Sequence, residues 1–154
     1  MLSWQKNHSL TAKNQKKMKQ ITLTELCTQA NIMIEDQDLN NTNFPQVNQS
    51  DLKKQVVWKV LMDTENIEYL LESIRNNKRL GGGHANVFDL VSSFADDDRS
   101  GKTNLKFIAF GSSYRRGNKE YYPCLILGNN KAVLTLEHND TLRSGYVIVA
   151  RGKN

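Results

Sequence analysis

Residues 110–127 read FGSSYRRGNKEYYPCLIL and bring two arginines, one lysine and three tyrosines into one short stretch. Arg116-Gly117-Asn118 supplies turn residues between two apolar runs. Tyr114, Arg115, Arg116 and Lys119 are therefore expected at a hairpin tip, with Tyr121 and Tyr122 beside it. Arginine carries a planar fork of donors that matches phosphate oxygens. Tyrosine offers a ring on which a base stacks, a contact of about 1–3 kcal/mol per base. Interleaving the two residue types is what a single-stranded or loop RNA site needs. The same composition also suits a hairpin that is charged only to discourage edge-to-edge pairing. Side chains alternate along a strand, so Tyr121 and Tyr122 face opposite sides and only one can join a given platform.

The first 20 residues hold Lys6, Lys13, Lys16, Lys17 and Lys19 and no acid, a charge of +5. They carry too few apolar residues to bury and read as a flexible basic arm over residues 1–20. On a nucleic acid these lysines release counterions and make binding salt-dependent. Residues 21–100 carry −6 and residues 101–154 carry +6, so the net charge of +5 conceals a basic, acidic, basic order. The two basic portions are where a polyanion is expected. The acidic middle offers Glu25, Glu35, Asp36, Asp38, Asp63, Glu65, Glu68 and Glu72 to a basic protein or to a second copy of the chain.

Other stretches resemble known chemistry only in part. GGGH at 81–84 places glycines before a helix start, as phosphate loops do. It lacks the lysine and hydroxyl residue that the nucleotide-binding loop requires. DDDRSG at 96–101 fits the first positions of a calcium loop through Asp96, Asp98, Ser100 and Gly101. Phe107 then stands where the bidentate carboxylate belongs. A cysteine–histidine couple would have to use Cys124 with His84 or His138, yet Cys124 lies inside an apolar run. His8, His84 and His138 have no metal-type spacing. The chain carries no catalytic signature, and neither a cofactor nor a metal is expected.

Length and composition set the frame for these residues. The chain has 154 residues with 38% apolar and 24% charged side chains, which suits one domain with a real core. Apolar runs fall far short of the roughly 20 residues that span a bilayer. No secretory h-region follows the basic start, so no membrane partner is expected. Cys27 and Cys124 are far apart, consistent with two reduced thiols in a cytoplasmic protein.

The elements that must position the hairpin follow from periodicity. Thr22 and Glu25 have capping-box spacing, with Leu23, Leu26, Cys27, Ala30 and Met33 or Ile34 on one helical face. QDLNNTNFPQVNQS, residues 37–50, reads as a loop. A further helix is expected from Ser50 and Asp51, with Leu52, Val56, Val57, Val60 and Leu61 as its stripe. Ile67, Leu70, Leu71 and Ile74 continue it or form another. Arg75, Lys78 and Arg79 suit a helix C-terminus. Asn86 caps a short helix with Asp89 near N3. From 104 the period becomes that of strands: NLKFIAF, KEYYPCLIL, KAVLTLE and GYVIVAR, joined by turns at 128–130 and 138–140.

The expected fold is α+β, with N-terminal helices packed on a C-terminal antiparallel β-meander. The helical part spans 21–95 and the β part 103–151 of a single domain, 21–154. Leu125, Ile126 and Leu127 are apolar on both faces, so the helices are expected to cover one side of the sheet and something else to shield part of the other. The expected function is non-catalytic nucleic-acid binding, RNA or another single strand favoured. The alternative is a protein–protein interaction or structural module, such as a virion component or an inhibitor of a host protein, from a phage or mobile element.

Overall fold

The computed structural model describes residues 19–52, 56–61, 67–76, 83–94, 105–128, 130–138 and 146–152. In chain order the strands are β1 (Gln20–Ile21), β2 (Met33–Ile34), β3 (Val47–Asn48), β4 (Val56–Leu61), β5 (Gly83–His84), β6 (Leu105–Ile108), β7 (Tyr114–Arg116), β8 (Lys119–Gly128), β9 (Lys131–His138) and β10 (Val147–Gly152). The helices are α1 (Leu23–Gln29), α2 (Gln49–Leu52), α3 (Ile67–Asn76) and α4 (Val87–Ser93). The fold is α+β, with helices around a mixed, largely antiparallel sheet of order β2-β9-β8-β6-β10-β4. β5 joins it on β10 and β7 on β8, while β1 and β3 form a separate pair.

Local chemistry accounts for two helix starts. Thr22 and Glu25 form the reciprocal capping box at α1, and Asn86 and Asp89 form another at α4. Each satisfies backbone N–H groups that the first helical turn leaves unpaired. α1 stops earlier than its apolar stripe suggests. Asn31 enters the left-handed region at φ 55°, and the chain leaves as an edge strand in which Met33 is exposed.

Residues 50–61 do not form the expected helix. Helix α2 is a single turn, and residues 56–61 are strand β4, whose six residues all pair with β10. Val-Val-Trp-Lys-Val-Leu is rich in branched and aromatic types that favour a strand, and a long partner strand decides between the two periods.

The sheet also departs from a simple meander. β6, β8 and β9 are consecutive antiparallel neighbours. β10 instead crosses back to lie parallel to β6 and antiparallel to β4. Tyr146, Ile148, Val149 and Ala150 are all buried, so this strand needs cover on both faces and neighbours on both edges. β2 adds a second parallel pairing, on β9.

Both faces of the sheet are covered. On one, Leu125, Leu127, Phe107, Leu134 and Val149 pack with Leu23, Leu26 and Cys27 of α1 and Val87, Leu90 and Val91 of α4. Phe94 and Phe107 meet there with ring centroids 4.3 Å apart. On the other, Ile108, Cys124, Ile148 and Ala150 pack with Ile74, and Leu71 and Ile126 join them half-buried.

Candidate nucleic-acid interface

The hairpin of β7 and β8 is built on an interruption in its own strand. β6 pairs with β8 until Ile108 meets Cys124, and Ala109 N donates to Pro123 O. Pairing resumes where Tyr114 meets Tyr121. Between them the 109–113 segment bulges outward. Ala85 lies against it, its N–H on Val149 O and its carbonyl accepting from Gly111 N at 2.7 Å. A Cβ on Gly111 would lie 2.4 Å from Ala85 O, so only glycine fits this approach. Ser112 Oγ accepts from Val87 N at the start of α4. Pro123 is tolerated mid-strand because its N, like its carbonyl, faces the bulge and not the β9 ladder. Gly117 at φ 64° makes the tip turn.

Register sorts the clustered side chains. Tyr114 pairs with Tyr121, Arg116 with Lys119, and Arg115 with Glu120. Directly paired and next-but-one residues share a face, so Tyr114, Arg116, Lys119 and Tyr121 lie together. Tyr121 also pairs with His138 on β9, ring centroids 5.1 Å apart and nearly edge-on. A row of three rings, Tyr114–Tyr121–His138, therefore crosses three adjacent strands. Tyr114 and Tyr121 rest partly on the core formed with α1 and α4.

Arg115 and Tyr122 face the other way. Ser113 donates to Glu120 beside Arg115. Tyr122 packs on Phe110 at 4.8 Å between centroids, and Phe110 on His84 at 6.0 Å. Burial pushes the Tyr122 hydroxyl pKa up, and the Glu120 charge adds to this. His84 Nε2 contacts Leu71 O at 3.1 Å. A carbonyl accepts, so the proton sits on Nε2.

Arg116 is engaged by two carboxylates. Its Nη2 donates to both oxygens of Asp36 at 3.1 and 3.0 Å and to Asp38 Oδ2 at 2.6 Å, and Nε reaches Asp38 Oδ2 at 3.1 Å. The guanidinium also lies over the Tyr121 ring, 4.6 Å from its centroid. Bonds from Asp36, then Asp38, raise its pKa further above the ordinary arginine value. Parallel pairing of β2 with β9 explains the meeting. Met33 aligns with Val133 and Ile34 with Leu134, so the chain beyond β2 runs toward the end of β9 that holds His138.

The remaining expected residues are placed as follows. Lys19 is exposed, its carbonyl accepting from Gln49 N, and Gln20 is already in β1, so the arm's inner end is tied to the domain. Lys13, Lys16 and Lys17 lie outside the described residues, as do His8, Gly81, Gly82 and the 96–101 stretch. Cys27 and Cys124 are buried, and burial pushes both thiols up to about 12. Cys124 and His138 occupy opposite faces of the sheet. Among the described residues no three His, Cys, Asp or Glu side chains gather to hold a metal ion, and no helix is long and apolar enough to cross a membrane. The arrangement offers stacking, ion pairing and hydrogen bonding.

Sequence reasoning did not link His138, read as part of a turn, or Asp36 and Asp38, read as part of the acidic middle, to this hairpin. Only their long-range pairing marks them. No model of a protein family, no curated protein and no solved structure matches the chain.

Proposed function

We propose that this protein binds single-stranded nucleic acid without catalysis, at the end of the sheet formed by β7, β8 and β9. The observation that carries this reading is the cross-strand row Tyr114–Tyr121–His138, with Arg116 and Lys119 on the same face. Rings on neighbouring strands are about 5 Å apart, so a splayed strand can stack successive bases across them. Arg115, on the opposite face, and the arm lysines Lys13, Lys16, Lys17 and Lys19 add phosphate contacts from the rim. A reducing, cytoplasmic setting belongs to the same reading, because both thiols are free and buried.

The test is a fluorescence-anisotropy titration with short single-stranded RNA, single-stranded DNA and duplex, at about 50 and about 200 mM salt. Binding that prefers single strands and falls steeply with salt is expected. Tyr114→Ala with Tyr121→Ala should weaken it at either salt, by about tenfold or more for the loss of one or two stacked bases. Glutamine at Lys13, Lys16 and Lys17 should flatten the salt slope and leave the stacking contribution intact. No binding at low salt would end this reading. It would favour the protein-interaction alternative, for which the acidic surface around Asp36 and Asp38 is the place to seek a basic partner.

A further inference from the structure

We infer that the Asp36–Asp38 loop is an autoinhibitory clasp, holding the Arg116 fork in the way a phosphate would and releasing it when a nucleic acid binds. This inference rests on the single-strand-binding reading and adds its regulation.

Three observations carry it. The first is chemical mimicry. Carboxylate oxygens meet the guanidinium at 2.6–3.1 Å through Nε and Nη2. A phosphate uses the same donors at similar distances. The second is exposure. The Arg116 side chain is 43% exposed and the two carboxylates 19% and 28%, so the pair lies within reach of a competing anion. Exposed ion pairs add little net stability, so an anion can displace one at small cost.

The third is that the loop does not depend on Arg116 for its shape. Asp38 N donates to Asp36 Oδ1, and Leu39 N to Asp36 O. Asn40 Oδ1 accepts from both Thr42 N and Asn43 N, and Asn43 Nδ2 donates to Asp38 O. Leu39 and Phe44 are buried and anchor the loop in the core. The carboxylates are thus presented to Arg116 by a turn that stands on its own bonds. Their position beside the Tyr114–Tyr121–His138 row also places negative charge where a nucleic-acid backbone would run. Without ligand, the clasp keeps Arg116 over Tyr121 and weakens non-specific polyanion binding. With bases stacked on the row, a phosphate is delivered next to the fork and takes over its bonds.

The test compares the parent with Asp36→Asn/Asp38→Asn, using a single-stranded RNA of about ten nucleotides. Asparagine retains the Oδ1 that accepts from Asp38 N, so the turn is preserved; a thermal midpoint checks it. The variant should bind several-fold tighter at low salt, because no ion pair has to open before a phosphate takes the fork. Adding Arg116→Ala should abolish that gain.

Equal or weaker binding by the variant, with the parent still binding, overturns the clasp and leaves the binding reading standing. Absence of binding in both overturns both. A measurement that needs no substitution stands beside these. The Arg116 Nε–H resonance of the parent should shift when RNA is added, as phosphate replaces Asp38. An unmoved resonance at saturating RNA overturns the clasp.

Discussion

Arg151 Nε donates to Asp89 Oδ2 at 2.7 Å, and the carboxylate it meets is fully buried while the arginine is 32% exposed. Asp89 is also the N3 residue of the α4 capping box, so the same Oδ2 accepts from Asn86 N at 2.9 Å. One side chain therefore ties the start of α4 to β10.

Replacing it should be costly. Asp89→Ala removes the side-chain acceptor for Asn86 N in the capping box and strands Arg151, and is expected to lose about 3 kcal/mol of unfolding free energy. Asp89→Asn keeps an acceptor for the cap and should lose less, about 1–2 kcal/mol. Urea denaturation of both variants checks the order. Equal losses would mean that the retained acceptor contributes nothing, and no loss in Asp89→Asn would mean that the charge pairing contributes nothing.

His84 makes stability depend on pH. Burial lowers its pKa below the usual 6.5; the bond to the Leu71 carbonyl opposes this in part, and the nearby Arg75 charge lowers it further. The folded state thus favours the neutral ring. This contribution is complete above pH 6.5 and is lost as pH falls through the lower, folded-state value. The unfolding free energy should begin to drop as pH falls below 6.5, and His84→Gln should reduce the drop. A variant with the same pH slope as the parent would remove His84 as the cause.

Two glycines of the hairpin should fail for different reasons. Gly111→Ala drives a Cβ to 2.4 Å from the Ala85 carbonyl, and backbone must move. A loss of about 1–3 kcal/mol is expected, with weakened single-strand binding because the base of the hairpin shifts. Gly117→Ala meets nothing within 4 Å but keeps φ at +64°. It should cost about 1–2 kcal/mol from backbone strain, and Gly117→Asn less. Chemical denaturation of the three variants separates crowding from strain.

Thiol accessibility should report the core. With both thiols pushed up to about 12, neither Cys27 nor Cys124 should react with an aromatic disulfide in the native protein at about pH 8. Both should react in denaturant. Rapid labelling of Cys124 under native conditions would contradict its burial between β6 and β9.

What the amino-acid sequence determined by itself is local. Thr22 with Glu25, and Asn86 with Asp89, announce their helix starts because a capping box is written within four residues. The strands near 105–108, 119–128 and 131–138 are legible in their branched and aromatic residues, and the basic, tyrosine-rich hairpin in its turn chemistry. The double-sided apolar run at 125–127 announces apolar contact on both faces, but not that a helix, α3 through Ile74 and Leu71, supplies it on the second.

Tertiary structure decided everything that depends on distant partners. Residues 56–61 fit either a helical stripe or a strand, and six pairs with β10 select the strand. β10 lies inside the sheet, and not at its end, because a strand buried on both faces needs two neighbours. Arg116 looks like an open phosphate fork until the parallel β2–β9 pairing brings Asp36 and Asp38 to it across 80 and 78 residues. His138 joins the tyrosines through the antiparallel β8–β9 pairing, which sets it opposite Tyr121. Propensity and periodicity act over a few residues, whereas register is set by which strands share a sheet.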